Sequence, residues 1–176
     1  MYGMRKDQLQ LVPYDPSWET DFQEESDRIL TCLGETKVRI EHVGSTAIEW
    51  VYAKPILDIA VLCGSESHLL LTKSLPSLGY DDRGQFEDEE EHFYAVRDEG
   101  EMRLCQMHIY TSATDDWNLK LRFRDVLRAD RGLAKEYNDY KLSLAASVAD
   151  KKTYAEIKHK WVTGFMPKIL RSAASR

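Results

Sequence analysis

The 176-residue sequence predicts a single α+β domain, a sheet-containing part through residue 116 followed by a helical part over 117–176. Three observations predict it. Residues 56–63 form a nearly continuous apolar run, as expected of a strand in the middle of a sheet. Residues 37–43 alternate, with Val38, Ile40 and His42 set against Lys37, Arg39 and Glu41, the pattern of a half-buried strand. Beyond residue 116 the apolar residues recur at helical spacing in three stripes: Leu119, Phe123, Val126 and Leu127, then Leu133, Tyr137, Tyr140 and Leu144, then Tyr154, Ile157, Trp161, Phe165 and Ile169. These stripes read as core packing.

From the start of the chain, residues 9–12 are a candidate short strand, and the cluster from Pro13 to Trp18 is a turn. A helix follows, from an N-cap at Asp15 or Ser17 to Leu33, with Phe22, Ile29, Leu30 and Leu33 toward the core and Gly34 ending it. Residues 65–74 read as a helix stopped by Pro76 and Gly79. The five consecutive acids at 87–91 read as a solvated loop, and residues 92–96 and 103–111 as two strands of a hairpin.

Composition narrows the function classes. No apolar run approaches the roughly 20 residues that cross a bilayer, and the polar opening with Arg5, Lys6 and Asp7 is unlike a signal or transit peptide. A soluble, cytoplasmic protein is therefore expected. Cys32, Cys63 and Cys105 are odd in number and widely spaced beside apolar residues, the pattern of buried free thiols and not of a zinc motif or a disulfide framework. The net charge of −6 conceals a division: 24 acidic against 10 basic residues through Asp116, then 6 against 14. The basic part either folds over an acidic body or lines a cleft that attracts an anion. The acidic whole argues against a general nucleic-acid binder, while a small anion such as a nucleoside triphosphate suits it.

The chemistry concentrates at Glu41-His42-Val43-Gly44-Ser45-Thr46, followed by Lys54-Pro55-Ile56-Leu57-Asp58. The stretch reads as strand, tight turn, short helix, strand. Gly44 permits a close backbone approach, and Ser45 and Thr46 offer hydroxyl and N–H donors to a phosphate. Asp58 projects from the next strand as a candidate metal ligand, but Ala60, on the same face, carries no oxygen. The sequence has no Gly-x-x-x-x-Gly-Lys-Ser/Thr loop, no Gly-x-Gly-x-x-Gly turn and no Gly-x-Ser-x-Gly elbow.

In order along the chain, Val12-Pro13-Tyr14-Asp15-Pro16-Ser17-Trp18, Ile40 to Thr46, Ala53 to Ile59, Met107-His108-Ile109, Phe123 to Arg128, Tyr137 with Lys141, and Tyr154 with Lys158 resemble the GrpB family. That family is regarded as a branch of the nucleotidyltransferase superfamily, which implies a small mixed sheet flanked by helices. The resemblance also implies a chemistry, transfer of a nucleotidyl group from a triphosphate with Mg²⁺ held by paired carboxylates. Twelve residues separate Ser45 from Asp58, within the superfamily spacing, and Asp58-Ile59-Ala60 supplies one of the two acids. The family's usual Pro-Gly after the turn is here Glu49-Trp50, and a histidine common two positions before His108 is here Gln106.

Two functions remain in view: a Mg²⁺-dependent nucleotidyltransferase acting on a small acceptor, and a protein that binds a nucleotide or other phosphorylated ligand without transferring it. A scaffold role and a metal hydrolase built on His42, His108 and Asp58 are further alternatives. His42 and His108 are candidate bases, Asp58 is the candidate catalytic and metal-binding carboxylate, and Lys54 is a candidate phosphate contact or a plain ion-pair partner of Asp58. Arg124 reads either as a substrate contact or as an internal ion pair, and Lys141 and Lys158 either point to the cleft or snorkel to water.

Overall fold

A computed structural model of the chain describes residues 2–86 and 90–174. Its elements in order are β1 (Met4–Arg5), α1 (Ser17–Leu33), β2 (Val38–Val43), a one-turn 3₁₀ helix (Ser45–Ala47), β3 (Leu57–Cys63), α2 (Ser65–Ser74), β4 (Tyr80–Gln85), β5 (His92–Glu99), β6 (Met102–Tyr110), and the helices α3 (Asp115–Ala129), α4 (Arg131–Ser147) and α5 (Lys151–Ala174). The sheet runs β2-β3-β6-β5-β4, with β1 pairing to the first residues of β6. β3 and β6 are parallel and the other pairs antiparallel, so the sheet is mixed.

The two faces differ in chemistry because side chains alternate along each strand. Ile59, Val61, Cys105, Met107, Ile109 and Ala95 face one way, onto Trp18, Phe22, Ile29 and Leu33 of α1 and Leu71 of α2. Full burial of side chains of this size stabilises by about 1.5–3 kcal/mol each, so this is the face that holds the fold together. On the other face, Val43, Ala60 and Tyr110 pack against Trp117 and Leu121 of α3. A third apolar cluster joins Ile48 and Val51 of the connection after the turn to Val126, Leu127, Leu133, Ala134, Tyr137, Phe165 and Ile169 of the three C-terminal helices. The turn is thereby fixed to the helical part, and the polar positions of the second sheet face lie under those helices.

Several expectations are met in detail. α1 ends as expected at Gly34, whose φ of 62° only a glycine adopts without strain; its N-cap is Pro16 and not Asp15 or Ser17, although Asp15 accepts a bond from the Ser17 amide at 2.9 Å. The apolar run sits inside the sheet as β3, and the residues joining β5 to β6 form a turn with Gly100 at φ 56°.

Four expectations are corrected. Residues 9–12 form no strand; Val12 makes only an isolated bridge to Ala53, and the short strand is Met4–Arg5. β4 was not expected, since Tyr-Asp-Asp-Arg-Gly-Gln is polar and holds a glycine at φ 73°; it lies at the sheet edge, where Tyr80 packs in the core and the side chains after it meet water. Cys32 is exposed on α1, whereas Cys63 and Cys105 are buried as expected. Leu30, Leu119 and Ile157 sit at the exposed margins of their stripes. Of the acidic run, Glu90 and Glu91 are exposed, and residues 87–89 lie outside the described residues.

Candidate functional site

Gly44 takes φ 71°, and its backbone lies so close to Asp58 that an added Cβ would collide with the carboxylate, coming within 2.8 Å of its Cγ. The register explains the contact: Val43 pairs with Asp58 across β2 and β3, so the turn begins directly above that carboxylate. The bend and the acid are therefore in direct contact. The Ser45 hydroxyl lies at the same place, 2.9 Å from the Tyr137 hydroxyl of α4.

The charges around Asp58 are mostly positive. Burial pushes its carboxyl above the ordinary range, and the ammonium groups of Lys158, Lys54, Lys120 and Lys141 oppose that rise. Lys54 lies over the Tyr154 ring, 5.8 Å from its centre, and burial followed by the charge of Lys158 pulls its amine down to about 8. Lys141 is 1% exposed, donates to the Tyr52 carbonyl and sits 4.6 Å from the centre of the Tyr137 ring. Burial, then Lys158 and Lys54, hold its amine well below the usual lysine range. Lys120 has its own partner in Asp116 at 2.5 Å.

The sheet face that carries Asp58 continues along β6 and β5. Asp58 pairs with Gln106, Ala60 with His108, and Tyr94 with His108, so all of these share Asp58's face. Tyr94 is pushed up to about 12, by burial first and the Asp58 charge second. His108 Nδ1 lies 2.8 Å from His92 Nε2. Burial, then Lys120 and His92, hold the His108 imidazole well below its ordinary value, which leaves it neutral at pH 7.

Other expected site residues do not join this group. His42 pairs with Ile59 and therefore points to the opposite face, where it stacks on Phe22 with ring centres 4.7 Å apart. Its Nε2 meets the Thr46 hydroxyl at 3.0 Å, and burial, aided by Arg128 and Arg124, depresses it to about 3. Thr46 is itself buried and bonded to His42 and to the Ile56 carbonyl. Arg124 donates to Glu41 at 2.6 Å, to Asp125 at 2.7 Å and to the His42 carbonyl at 2.9 Å, the internal ion pair that was one of its two expected roles. His42, Thr46 and Arg124 thus brace the turn, while Gly44 touches Asp58, His108 shares its sheet face, and the charges of Lys54, Lys141 and Lys158 act on it. Lys120, Tyr94, Gln106 and His92 were not anticipated. For Gln106 the signal was present, because it lies two residues from His108 on the same strand face.

The position of the second carboxylate is occupied by hydrocarbon. Ala60 is fully buried against Trp117, Tyr110 and Leu121. Among the described residues, no group of three or more His, Cys, Asp or Glu side chains could hold a metal ion. The donor set does not fit a protein-held Mg²⁺ pair, because one carboxylate set among ammonium groups offers a divalent cation few oxygens and much repulsion.

The family model described as GrpB protein matches residues 8–168. This chain belongs to the GrpB family. The glutamate-rich protein GrpB of Alkalihalophilus pseudofirmus is 32% identical over 169 residues, covering 92% of this chain and 96% of that one. The solved structure of the conserved protein GrpB from Enterococcus faecalis is similar with a TM-score of 0.82 at 27% identity, covering 93% of this chain and 99% of that chain. The Cid1 poly(U) polymerase, solved with MgGTP bound, matches 76% of this chain and 43% of its own with a TM-score of 0.52 and 12% identity, which places this GrpB chain among nucleotidyltransferase-like folds. A dephospho-CoA kinase of Mycolicibacterium paratuberculosis is 27% identical over 180 residues, covering 87% of this chain and 44% of that protein. Trp50 holds φ 69°, with its exposed indole ring centre 4.6 Å from the Arg131 guanidinium.

Proposed function

We propose that this GrpB protein binds a phosphorylated small molecule, a nucleoside triphosphate or an anion like it, in a hollow at the turn of Gly44 and Ser45 beside Asp58. Lys54, Lys141 and Lys158 meet the phosphate charge. One observation carries the reading: three lysines crowd a half-buried carboxylate, and none of the three forms an ion pair with any carboxylate among the described residues. Holding amines out of water against one another is costly, and an arriving anion relieves that cost. Gly44 supplies backbone access and Ser45 a hydroxyl. In this reading the lysines do the neutralising, and Asp58 is the one carboxylate that a Mg²⁺ carried in by a triphosphate would meet. A relative named dephospho-CoA kinase and a fold neighbour solved with MgGTP are in keeping with a phosphorylated ligand.

A second reading, nucleotidyl transfer, is favoured by the neutral imidazole of His108 on the same face as Asp58. Binding comes first in either case and has a pH signature. The free Lys54 amine titrates near 8 and an anion favours its protonated form, so affinity is level below pH 8 and falls above it. Titration calorimetry with inorganic pyrophosphate from pH 6.5 to 9.5 is expected to show the fall above pH 8, and Lys54→Met to lessen it, Lys141 keeping its own share. Lys158→Met is expected to weaken binding at least tenfold. Unchanged affinity in both variants would refute the site.

A further inference from the structure

β3 and β6 are neighbours in the sheet and run parallel, with Leu62 beside Tyr110 near their carboxyl ends. The chain leaves the two strands in opposite directions. After β3 it enters α2, whose Leu71 packs on the face of Ile59 and Val61; after β6 it enters α3, whose Trp117 packs on the face of Ala60. Adjacent parallel strands whose connections part to opposite faces leave a crevice outside their carboxyl ends, because neither connection covers it. A cleft of about 490 Å³ lies there, lined by apolar Val38, Leu62 and Ala113 and by polar Lys37, Arg39, Thr111 and Ser112. Asp58 is five residues back along β3 from Cys63, about 17 Å of extended chain, so the cleft is separate from the phosphate site.

The fold itself leaves most of the polar groups of this cleft unused. The Lys37 ammonium and the hydroxyls of Thr111 and Ser112 make no ion pair or hydrogen bond among the described residues. Arg39 does have a partner: its Nε and Nη2 each lie 2.7 Å from Glu41 Oε1, and its guanidinium lies 5.6 Å from the centre of the Trp117 ring. Lys37 is therefore the one uncompensated charge among the described residues that line the cleft. One free cation, two free hydroxyls and apolar walls suit a singly charged anion with a hydrocarbon body. A phosphate dianion would meet one positive charge too few. We propose that this cleft binds a small aliphatic carboxylate, with its oxygens on Lys37 and on the Thr111 and Ser112 hydroxyls and its chain against Val38, Leu62 and Ala113. The site is additional to the phosphate reading and does not depend on it.

Hexanoate is the probe, titrated into the ¹⁵N-labelled full chain and followed by ¹H–¹⁵N spectra. Saturable shifts are expected at the amides of Val38, Gly64 and Ser112, with a Kd on the order of 1 mM for so small a ligand. Hexanamide has the same shape without the charge, and inorganic phosphate has charge without the hydrocarbon. Each is expected to bind there about tenfold more weakly or worse, the loss of one charge-assisted bond or of the apolar contact. Lys37→Met is expected to weaken hexanoate about tenfold, and Ala113→Trp to abolish its binding by filling the cleft. Both positions are exposed, so both variants are expected to melt with wild type and to bind pyrophosphate as wild type does. Hexanamide or phosphate binding as tightly as hexanoate would overturn the carboxylate assignment. Shifts absent from these amides, or an unchanged hexanoate affinity in either variant, would overturn the site.

Discussion

At the Gly44 position the backbone has φ 71° and meets the Asp58 carboxylate with no room for a side chain. Gly44→Ala meets both a strained conformation and a collision with a partly buried charge. It is expected to destabilise the fold by about 3 kcal/mol and to abolish anion binding, read by chemical denaturation and calorimetry. His42 acts through a different property. Its folded value near 3 lies below the ordinary 6.5, so between those limits the unfolded chain binds a proton that the folded chain does not. This group leaves stability unchanged above pH 6.5 and lowers it by about 1.4 kcal/mol per unit as pH falls toward 3. His42→Gln removes that component, so the difference in stability between wild type and variant is expected to be pH-dependent below 6.5 and constant above it. A difference that stays constant down to pH 4 would show that the imidazole is charged in the folded chain.

At the scale of elements, the site depends on α3 being held to β2, and Arg124 does this through Glu41 and the His42 carbonyl. Its side chain is 10% exposed and that of Glu41 19%, so this is a partly buried pair whose loss leaves Glu41 with Arg39 alone. Arg124→Ala is expected to cost about 2–3 kcal/mol, a fall in Tm of roughly 6–10 °C, seen in a thermal melt. These elements also show what was legible in the sequence. β3 and the three C-terminal helices stood out because burial is written in their apolar spacing. The pairing of Gly44 with Asp58 was legible because a turn glycine and an acid inside an apolar strand have few other uses. The parity of β2 had already set His42 with Val38 and Ile40 on the core face, a signal against a catalytic role. β4 was not legible, because an edge strand needs only backbone partners and its polar side chains carry no period. The lysine cluster was legible residue by residue but not as a cluster. Lys54, Lys120, Lys141 and Lys158 come from one loop and three helices, and only tertiary packing brings them to a single carboxylate.

Across the whole molecule, the opposed charges of the two parts resolve into an arrangement with two roles. The basic helices α3, α4 and α5 cross the acidic sheet-containing part, with Arg124 and Lys120 paired to its acids or to their own. The charges of Lys141 and Lys158, with that of Lys54, act on Asp58. No helix of the described residues is long and apolar enough to cross a membrane. With Ala60 buried under α3 where a second acid would stand, the fold leaves Asp58 as one carboxylate against the turn, with amine charges acting on it. The central claim, that these amines and no protein-held metal pair neutralise the ligand, is tested most directly by titrating ATP and pyrophosphate into the protein in EDTA and again in Mg²⁺. Binding in EDTA that is retained within about tenfold of the Mg²⁺ value and lost in the Lys54→Met/Lys158→Met double variant is the predicted result; binding that requires Mg²⁺ and survives the loss of both lysines would contradict it.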